Sequence, residues 1–363
     1  MKKVEIPVWN TNIPDNTIDY IKDAFKNRSL STGSFTKKFE KKLSSMHENN
    51  HCICVNSGTS ALKCIAIALG LKPNDEIIVP RRSWIATVNA FYELGLKIKL
   101  ADIDKKRSLI SIDSIRSLIS KKTKAIVIVN LNGRNSINSE IINLIAEYKI
   151  PLIQDNAQSL FSSVPNKING IETFQIYSFA MNKLLATGQG GCIVTSCKKT
   201  AEKMIKIRTQ GLGNIKRPQS WEIGSNYRIS DLLSSIGLSQ LEILEKKKIR
   251  LLEIYQNYRN HLSKKEFCVE IYVDLNNNEF PLYAEYLFDK RDELVKYLDS
   301  IGIETRPFYK DLDTAKYICD FNEIKYQESV FSKKGLTLPG GDGLTDSDQN
   351  KIIKSICNFY KNL

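Results

Sequence analysis

The chain has 363 residues, 42% hydrophobic and 26% charged, which is enough for a large core and predicts one large domain with a smaller second domain. Its 53 Lys and Arg against 40 Asp and Glu give a net charge of +13. The basic residues are spread out, with no Arg-rich block among aromatics, which argues against a nucleic-acid-binding protein and leaves a field that favours anionic substrates.

Targeting and metal signals are absent from the sequence. The N-terminus has no apolar segment of a signal peptide, and no run of about 18 apolar residues predicts a membrane span. We therefore expect a cytoplasmic protein. The eight cysteines form no CxxC pair, and several lie in apolar runs, where free cysteine behaves as a small buried hydrophobe. His47, His51 and His261 have no metal-ligand spacing, so no metal site is predicted.

The first half of the chain predicts an α/β fold. An irregular arm over residues 6–13 precedes two helices, one over 16–26 and one running through Phe39 to Met46. The segments CICV, EIIVP, KIKLADI, AIVIVNL and PLIQD then read as strands, separated by helices over 61–69, 84–94, 113–119 and 139–148. Strands alternating with helices of this length predict a mostly parallel sheet that is covered on both faces.

The second half predicts the end of this sheet and a smaller α+β unit. Strands FQIYSF and CIVTS precede a helix over 200–209 and a long amphipathic helix over 231–262. Three strands (268–273, 283–288 and 302–306) and two helices (291–300 and 347–360) follow. We expect a large domain over residues 1–235, which includes the N-terminal arm, and a small domain over 236–363, which includes the long linking helix.

A phosphate site is predicted where CICV ends. Ligands of parallel sheets bind at the carboxyl ends of the strands. There NSGTS turns into a helix, so that free N–H groups, the helix dipole and the Thr59 hydroxyl converge on one small volume. The alternative is an ordinary Ser/Thr helix cap.

Two further side chains follow strand ends. Trp84 comes after EIIVP and offers an indole that can stack on a flat ring, the alternative being core packing. Asp155 ends PLIQD, where a buried carboxylate needs a partner such as a protonated ring nitrogen. Its alternative role is to cap the segment that begins at Ala157.

Lys183 lies in a loop between two strands, beside Leu184 and Leu185 and before three glycines. A lysine among apolar neighbours can become a nucleophilic amine that forms a Schiff base, and the glycines allow close approach of the backbone to a flat ligand. The alternative is a solvated loop lysine. Together, a phosphate site, a stacking aromatic, a carboxylate and a lysine are the four contacts that pyridoxal 5′-phosphate requires.

Longer segments carry a family resemblance that runs nearly from end to end. They are STGSFTKKFE, VNSGTSAL, VPRRSWIATVNAFYELG, LADID, IQDNAQS, YSFAMNKLLATGQGG, IGSNYRISDLLSSIGLSQL, GIETRPFY and LTLPGG. In these segments the chain resembles the DegT/DnrJ/EryC1/StrS family of sugar aminotransferases, which use pyridoxal 5′-phosphate. The resemblance implies fold type I, with a mostly parallel central sheet in a large domain and a smaller α+β C-terminal domain.

The resemblance also implies a set of cofactor contacts. They are Lys183 as the covalent attachment, Asp155 at the pyridine nitrogen, Gln158 near the ring hydroxyl, Trp84 stacked on the ring, Gly58, Thr59 and Ser178 at the phosphate, and Asn226 at the phosphate of the neighbouring subunit. The role of Asn226 implies an obligate homodimer with shared active sites.

The reaction implied is transfer of an amino group from glutamate to a keto sugar, as in surface polysaccharide or glycan biosynthesis. GIETRPFY is most similar to relatives that aminate C4 of a GDP-linked 4-keto-6-deoxy sugar. Basic residues before the stacking segment and in the polar loop are candidates for contacts with the diphosphate, with solvated surface charges as the alternative: Arg81, Arg82, Lys216 and Arg217.

Departures from the family pattern leave other substrates open. Asn156 stands where the family has a small residue, no glycine follows shortly after Gln158, and YKDLDTAKY lacks a histidine that relatives often carry. An inosose or a phosphorylated triose is therefore an alternative ketone. Lys183 argues against a 3-dehydratase, which has histidine at this position. A further alternative is a non-catalytic regulator that binds the cofactor, which the intact set of Lys183, Asp155 and Thr59 disfavours.

Overall fold

In a computed structural model, which describes residues 4–48, 50–162, 168, 170–213, 222–319 and 326–363, the chain forms two β-sheets. The larger sheet has seven strands in the order β1-β7-β6-β5-β4-β2-β3. These strands are His51–Val55 (β1), Glu76–Pro80 (β2), Lys97–Ala101 (β3), Thr123–Val129 (β4), Leu152–Asp155 (β5), Thr173–Ser178 (β6) and Gly191–Thr195 (β7). Only β7 runs against the other six, so the predicted mostly parallel sheet is confirmed.

Helices cover both faces of this sheet because successive strand residues point to opposite sides. Ile77 and Val79 pack in one core cluster with helices α3, α4 and α7, whereas Ile78 packs in another with α5 and α6. A third cluster joins α2 and α8 to strands β1, β6 and β7. The helices up to this point are Thr17–Lys26 (α1), Ser34–Met46 (α2), Gly58–Ala68 (α3), Ala86–Tyr92 (α4), Ile112–Leu118 (α5), Ser139–Tyr148 (α6), Lys198–Arg208 (α7) and Asp231–Glu242 (α8).

The second sheet is antiparallel and has four strands in the order β10-β11-β9-β8. They are Cys268–Glu270 (β8), Ala284–Phe288 (β9), Arg306–Pro307 (β10) and Gly335–Leu338 (β11). Its core includes side chains from three helices, α9, α10 and α13. The remaining helices are Leu244–Leu262 (α9), Arg291–Ser300 (α10), Lys316–Cys319 (α11), Val330–Lys334 (α12) and Asp346–Lys361 (α13).

The N-terminal arm lies against this second unit. Ile6 forms a bridge with Ile303, and Trp9 forms one with Gly340. The arm thus links the start of the chain to residues about 300 positions later, close to the mouth of the site described below. The division into domains at residues 235 and 236 stays a prediction.

Four predicted elements were wrong in their extent. The strand predicted over 268–273 is reduced to Cys268–Glu270. The helix predicted over 231–262 is two helices, because Ile243 leaves the helical conformation (φ −105°, ψ 7°) between them. The break lets α8 pack on α1 and α2 while α9 packs on the second sheet. The helix predicted from residue 84 begins at Ala86, so Trp84 precedes it, and the strand predicted over 302–306 is reduced to Arg306–Pro307.

The prediction of buried free cysteines is confirmed for Cys52, Cys54, Cys64, Cys192 and Cys268. Among the described residues, no helix is long and apolar enough to cross a membrane. The same part of the chain contains no group of three or more His, Cys, Asp or Glu side chains that could hold a metal ion.

Candidate active site

A cavity of about 320 Å³ opens at the carboxyl edge of the large sheet. Strands β2, β5 and β6 end there, and β7, which runs the other way, begins there. The cavity is lined by seven of the eight residues that the sequence predicted: Gly58, Thr59, Trp84, Asp155, Gln158, Ser178 and Lys183. The topology of the sheet therefore brings together side chains that are more than 100 positions apart in the sequence.

The N-terminus of α3 forms one end of the cavity. The Ser57 hydroxyl caps the helix by accepting a hydrogen bond from Ser60 N at 3.0 Å, which leaves the first turn at Gly58 and Thr59 facing the cavity. The helix start lies directly on β7, since a Cβ at Gly191 would stand 2.7 Å from Gly58 N. The cap and the anion site proposed as alternatives are thus both compatible with this helix, and its N–H groups can hold a phosphate.

Asp155 lies at the floor of the cavity and is 5% exposed. Burial raises the pKa of its carboxyl, while the hydrogen bonds from Thr87 and Ala157 and the charge of Lys183 oppose this shift. Thr87 Oγ1 donates to Oδ2 at 2.8 Å, and Ala157 N donates to Oδ1 at 3.1 Å. A buried carboxylate held in this way is suited to a cationic N–H group of a ligand.

Lys183 stands on the loop between β6 and β7 and is half-buried. Its own N–H donates to Ala180 O at 2.9 Å, and the next four residues, Leu184 to Thr187, are buried, which fixes the loop. The Lys183 amine has no hydrogen bond or ion pair with any residue that the structure describes, although its charge acts on Asp155. It is therefore available for a covalent bond to a ligand in the cavity.

Trp84 remains 60% exposed while it lines the cavity. Its indole contacts Tyr309 edge to face, with ring centroids 5.6 Å apart. The alternative of core packing is thus wrong for this residue, because an indole inside the core would not keep this exposure.

Gln158 and Ser178 complete the predicted set. Gln158 Oε1 accepts a hydrogen bond from Asn132 N at 2.8 Å, which orients the amide and leaves Nε2 without a partner among the described residues. Ser178 ends β6, and its Cβ lies 3.4 Å from the place where a side chain at Gly58 would begin. Ser178 is therefore beside the start of α3.

Asn226 does not line this cavity. Its side chain is exposed, and its Oδ1 accepts a hydrogen bond from Arg228 Nε at 2.9 Å. The backbone of Asn226 is nearby, because Asn56 Nδ2 donates to its carbonyl at 3.2 Å. A role for Asn226 in the site of a neighbouring subunit stays a prediction.

The prediction that Arg81 and Arg82 meet an anionic substrate, or lie solvated on the surface, was wrong. Both are 3% exposed and paired with acidic residues. Arg81 contacts Asp311 at 2.9 Å, and Arg82 contacts the same carboxylate at 3.4 Å. Buried charges need such partners, and these arginines are satisfied within the protein. Lys216 and Arg217, considered for the same role, lie outside the described residues.

Several lining residues were missed by sequence reasoning. They are Thr87, Asn182, Tyr283, Arg306 and Tyr309. Thr87 lies four positions after Ser83, whose hydroxyl it meets at 2.7 Å, and this helical spacing was its only signal. Arg306 and Tyr309 belong to the segment GIETRPFY, which was singled out for family resemblance without a role for either side chain.

The residues of the cavity fit pyridoxal 5′-phosphate. The α3 N-terminus suits its phosphate, the buried Asp155 carboxylate suits a protonated ring nitrogen, and the Lys183 amine suits its aldehyde. Asp155 is the most specific feature of this fit. A buried carboxylate at a strand end is unfavourable without a cationic partner, and the cavity has space for a ligand that carries one.

Comparisons with known proteins agree with this geometry. The family model of the DegT/DnrJ/EryC1/StrS aminotransferases matches residues 11–357. Among curated proteins, the GDP-perosamine synthases of Vibrio cholerae and Caulobacter vibrioides are 28% and 29% identical, over 98% and 97% of both chains.

Among solved structures, Helicobacter pylori PseC, an aminotransferase involved in the biosynthesis of pseudoaminic acid, superimposes with a TM-score of 0.91 at 21% identity. The match covers 99% of this chain and 100% of that one, and it shows the same fold, which is fold type I. Because the family model covers nearly the whole sequence, the chain belongs to the DegT/DnrJ/EryC1/StrS aminotransferase family.

Proposed function

We propose that this chain is a pyridoxal 5′-phosphate-dependent aminotransferase that transfers an amino group from glutamate to a nucleotide-linked 4-keto-6-deoxyhexose. The observation that carries the proposal is that Lys183 and Asp155 line one cavity beneath the N-terminus of α3. Family membership adds the reaction class, and the names of the GDP-perosamine synthases add a GDP-linked sugar.

The cofactor, when bound, withdraws electrons from the substrate carbon that carries the nitrogen. The protein supplies the proton transfers and the orientation. The Lys183 amine takes a proton from Cα of the amino donor and, in the second half of the reaction, gives one to the former carbonyl carbon of the keto sugar. One lysine can act first as a base and then as an acid, because the second half-reaction reverses the chemistry of the first in the same site.

Asp155 has the complementary task of keeping a proton on the ring nitrogen. The hydrogen bonds from Thr87 and Ala157 stabilise its ionised form against the effect of burial. Trp84 would lie on one face of the ring, and Gln158 Nε2 would donate to the ring hydroxyl. Gly58, Thr59 and Ser178 would hold the phosphate.

A homodimer with shared active sites is part of the same proposal. It is supported by the exposed side chain of Asn226, whose backbone carbonyl accepts a hydrogen bond from Asn56, and by large apolar side chains that are exposed close to Lys183 and Asn226 in the sequence. Met181, two positions before Lys183, is 50% exposed, and Ile223, three positions before Asn226, is 74% exposed. Exposed apolar residues of this size are typical of interaction surfaces.

The substrate is tested with the pyridoxamine-loaded enzyme and a panel of ketones. Turnover with GDP- or dTDP-linked 4-keto-6-deoxyhexoses should be far faster than with unlinked keto sugars, inososes or triose phosphates, as measured by loss of the pyridoxamine absorbance. If a small phosphorylated ketone reacts as well as any nucleotide sugar, the smaller-ketone alternative replaces this proposal.

A further inference from the structure

Asn132 is a fully buried residue in a left-handed backbone conformation, and the mechanism above does not use it. It lies in the 3₁₀ turn Leu131–Gly133 after β4, with φ 52° and ψ 37°. This region of backbone space is sparsely populated by residues other than glycine, and such a conformation persists where the surrounding contacts hold it. The contacts of Asn132 therefore indicate what the conformation is for.

The Asn132 side chain holds the segment that leads into β9. Its Oδ1 accepts hydrogen bonds from Leu282 N at 2.9 Å and from Tyr283 N at 2.7 Å, and its Nδ2 donates to Tyr283 O at 3.0 Å. The partners lie about 150 positions later in the sequence. These three buried hydrogen bonds fix residues 282 and 283 against the end of β4.

The neighbouring residues make this junction tight. A Cβ at Gly133 would stand 1.8 Å from Phe280 O. The Ser162 hydroxyl bridges the same two residues, because it donates to Gly133 O at 2.6 Å and accepts from Phe280 N at 3.2 Å. Residues 132–133 and 280–283 thus form one hydrogen-bonded junction between the large sheet and the chain that enters the second sheet.

Two contacts lead from this junction into the cavity. Asn132 N donates to Gln158 Oε1 at 2.8 Å, and Gln158 lines the cavity. On the other side, the Tyr283 hydroxyl donates to Asn182 O at 3.0 Å, directly before Lys183. Asn132 therefore contacts Gln158 itself and the residue whose side chain reaches the lysine loop.

The backbone N–H of Asn132 orients the Gln158 amide only while Asn132 keeps its left-handed conformation, which its three side-chain hydrogen bonds secure. We propose that Asn132 is a positioning residue that keeps Gln158 Nε2 directed at the ring hydroxyl of the cofactor. The orientation of Gln158 then depends on the placement of residues 280–283. This inference rests on the proposed function, which gives Gln158 its contact with the ring hydroxyl.

The pH dependence of the visible absorbance of the bound cofactor tests the proposal without turnover. A hydrogen bond donated to the ring oxygen stabilises its negatively charged form, so its loss raises the pH midpoint of the absorbance change. Asn132→Gly suits the positive φ and keeps the N–H, but it removes the three side-chain hydrogen bonds. We expect it to raise the midpoint by about half to one pH unit, the effect of one lost hydrogen bond.

Gln158→Ala gives the full effect for comparison. It should raise the midpoint at least as much as Asn132→Gly does, and the double variant should show no further rise, because both substitutions remove the same contact. Asn74→Gly is the matched control. Asn74 also has a positive φ, 71°, but it is exposed and precedes β2 at the opposite edge of the sheet, so its substitution should leave the midpoint unchanged.

Ser162→Ala is a milder second variant, which decides the outcome if Asn132→Gly does not retain the cofactor. It breaks the bridge between Gly133 and Phe280 and leaves Asn132 in place, so it should raise the midpoint by a smaller amount. An unchanged midpoint in Ser162→Ala then overturns the proposal.

The proposal is also overturned if Asn132→Gly or Gln158→Ala leaves the midpoint unchanged, or if Asn132→Gly raises it further when Gln158 is already absent. A purified protein without visible absorbance, or failure of every nucleotide sugar in the ketone panel, contradicts the proposed function instead. The absorbance titration does not depend on that panel.

Discussion

Asp155 places a carboxylate where water is almost excluded, and this has a defined electrostatic consequence. Its pKa is raised by burial, and the Thr87 hydroxyl opposes that shift by donating to Oδ2. The hydroxyl of Thr87 also meets Ser83 at 2.7 Å, so the carboxylate is held by a short series of hydrogen bonds that begins at the end of β2. The uncharged Thr87 side chain therefore helps to keep Asp155 ionised.

The amine of Lys183 is predicted to carry the cofactor. The purified protein should be yellow, and borohydride should fix the cofactor to the peptide that contains Lys183. Lys183→Ala should still bind the cofactor without a covalent bond, but lose at least about 10²- to 10⁴-fold in turnover, the usual contribution of a general base. Lys206→Ala is the control, because Lys206 is ion-paired with Glu222 at 2.8 Å away from the cavity. Labelling at another lysine contradicts the assignment.

His47 is a buried residue whose protonation is predicted to destabilise the fold. Burial lowers the pKa of His47 from 6.5 to about 4, and the ring lies against Tyr177 with centroids 4.7 Å apart. Since the folded-state pKa is the lower one, the stabilisation is complete above pH 6.5 and is lost as the pH falls toward 4. At pH 5 the loss is about 2 kcal/mol, at about 1.4 kcal/mol per pKa unit.

His47→Phe keeps an aromatic ring and removes the titration, so its free energy of unfolding should change less between pH 7 and pH 5 than that of the unmodified protein. Denaturant unfolding at the two pH values measures the difference. The exposed His261, replaced by Gln, should behave as the unmodified protein does. Equal pH dependence in the His47 variant and the unmodified protein would show that His47 is not the titrating group.

At the scale of elements, a buried carboxylate joins two parts of the chain that border the cavity. Asp311 accepts from Arg81, Arg82 and Ser329, and the Arg82 guanidinium also donates to Tyr309 O at 3.3 Å. Residues 81–84 follow β2, while Asp311 and Tyr309 follow β10. This network therefore fixes the position of Trp84 relative to Tyr309, which it contacts and with which it lines the cavity.

Asp311→Asn should accordingly affect both stability and the site. Loss of the carboxylate removes the acidic group that Arg82 contacts and one of the three that contact Arg81, beside Asp102 and Asp313. We expect the free energy of unfolding to fall by about 3 kcal/mol, the lower end for a broken buried ion pair. Urea unfolding measures this, and Trp84 fluorescence reports the displaced loop. Asp313→Asn removes the contact to Arg81 Nε but leaves the Asp311 carboxylate in place, and it should have a smaller effect on both. Equal effects of the two substitutions would contradict a central role for Asp311.

Strands and loops were predicted well where a short stretch of sequence carried the whole pattern. The strands of the large sheet and the loop around Lys183 have continuous apolar runs and glycines, and each lies close to its predicted position. The break at Ile243 was missed because the apolar spacing continues through it, and only packing on two different surfaces requires the change in direction. Arg81 and Arg82 were misjudged for a similar reason: their acidic partner lies about 230 positions later, beyond any local pattern.

At the scale of the whole molecule, the proposed homodimer predicts complementation between inactive subunits. Asn226→Ala and Lys183→Ala protomers, mixed and refolded together, should form heterodimers with one doubly damaged site and one intact site. Activity of the mixture should therefore exceed that of either parent, up to about one intact site per heterodimer. A mixture that is no more active than its parents indicates that each site is built within one subunit.

The position of β1 also determines when the site can form. Among the described strands, β1 pairs with β7 alone, whose residues come about 140 positions later: His51 is opposite Thr195, and Val55 is opposite Gly191. Val55 also forms a single bridge with Arg228. During synthesis from the N-terminus, the apolar segment from Cys52 to Val55 therefore has no strand partner until β7 has left the ribosome. Pairing over such a separation in sequence is slow, and until it occurs the unpaired N–H and C=O groups of the strand remain exposed to aggregation. The phosphate end of the site, which needs both Gly58 and Gly191, is thus among the last parts of the large sheet to assemble.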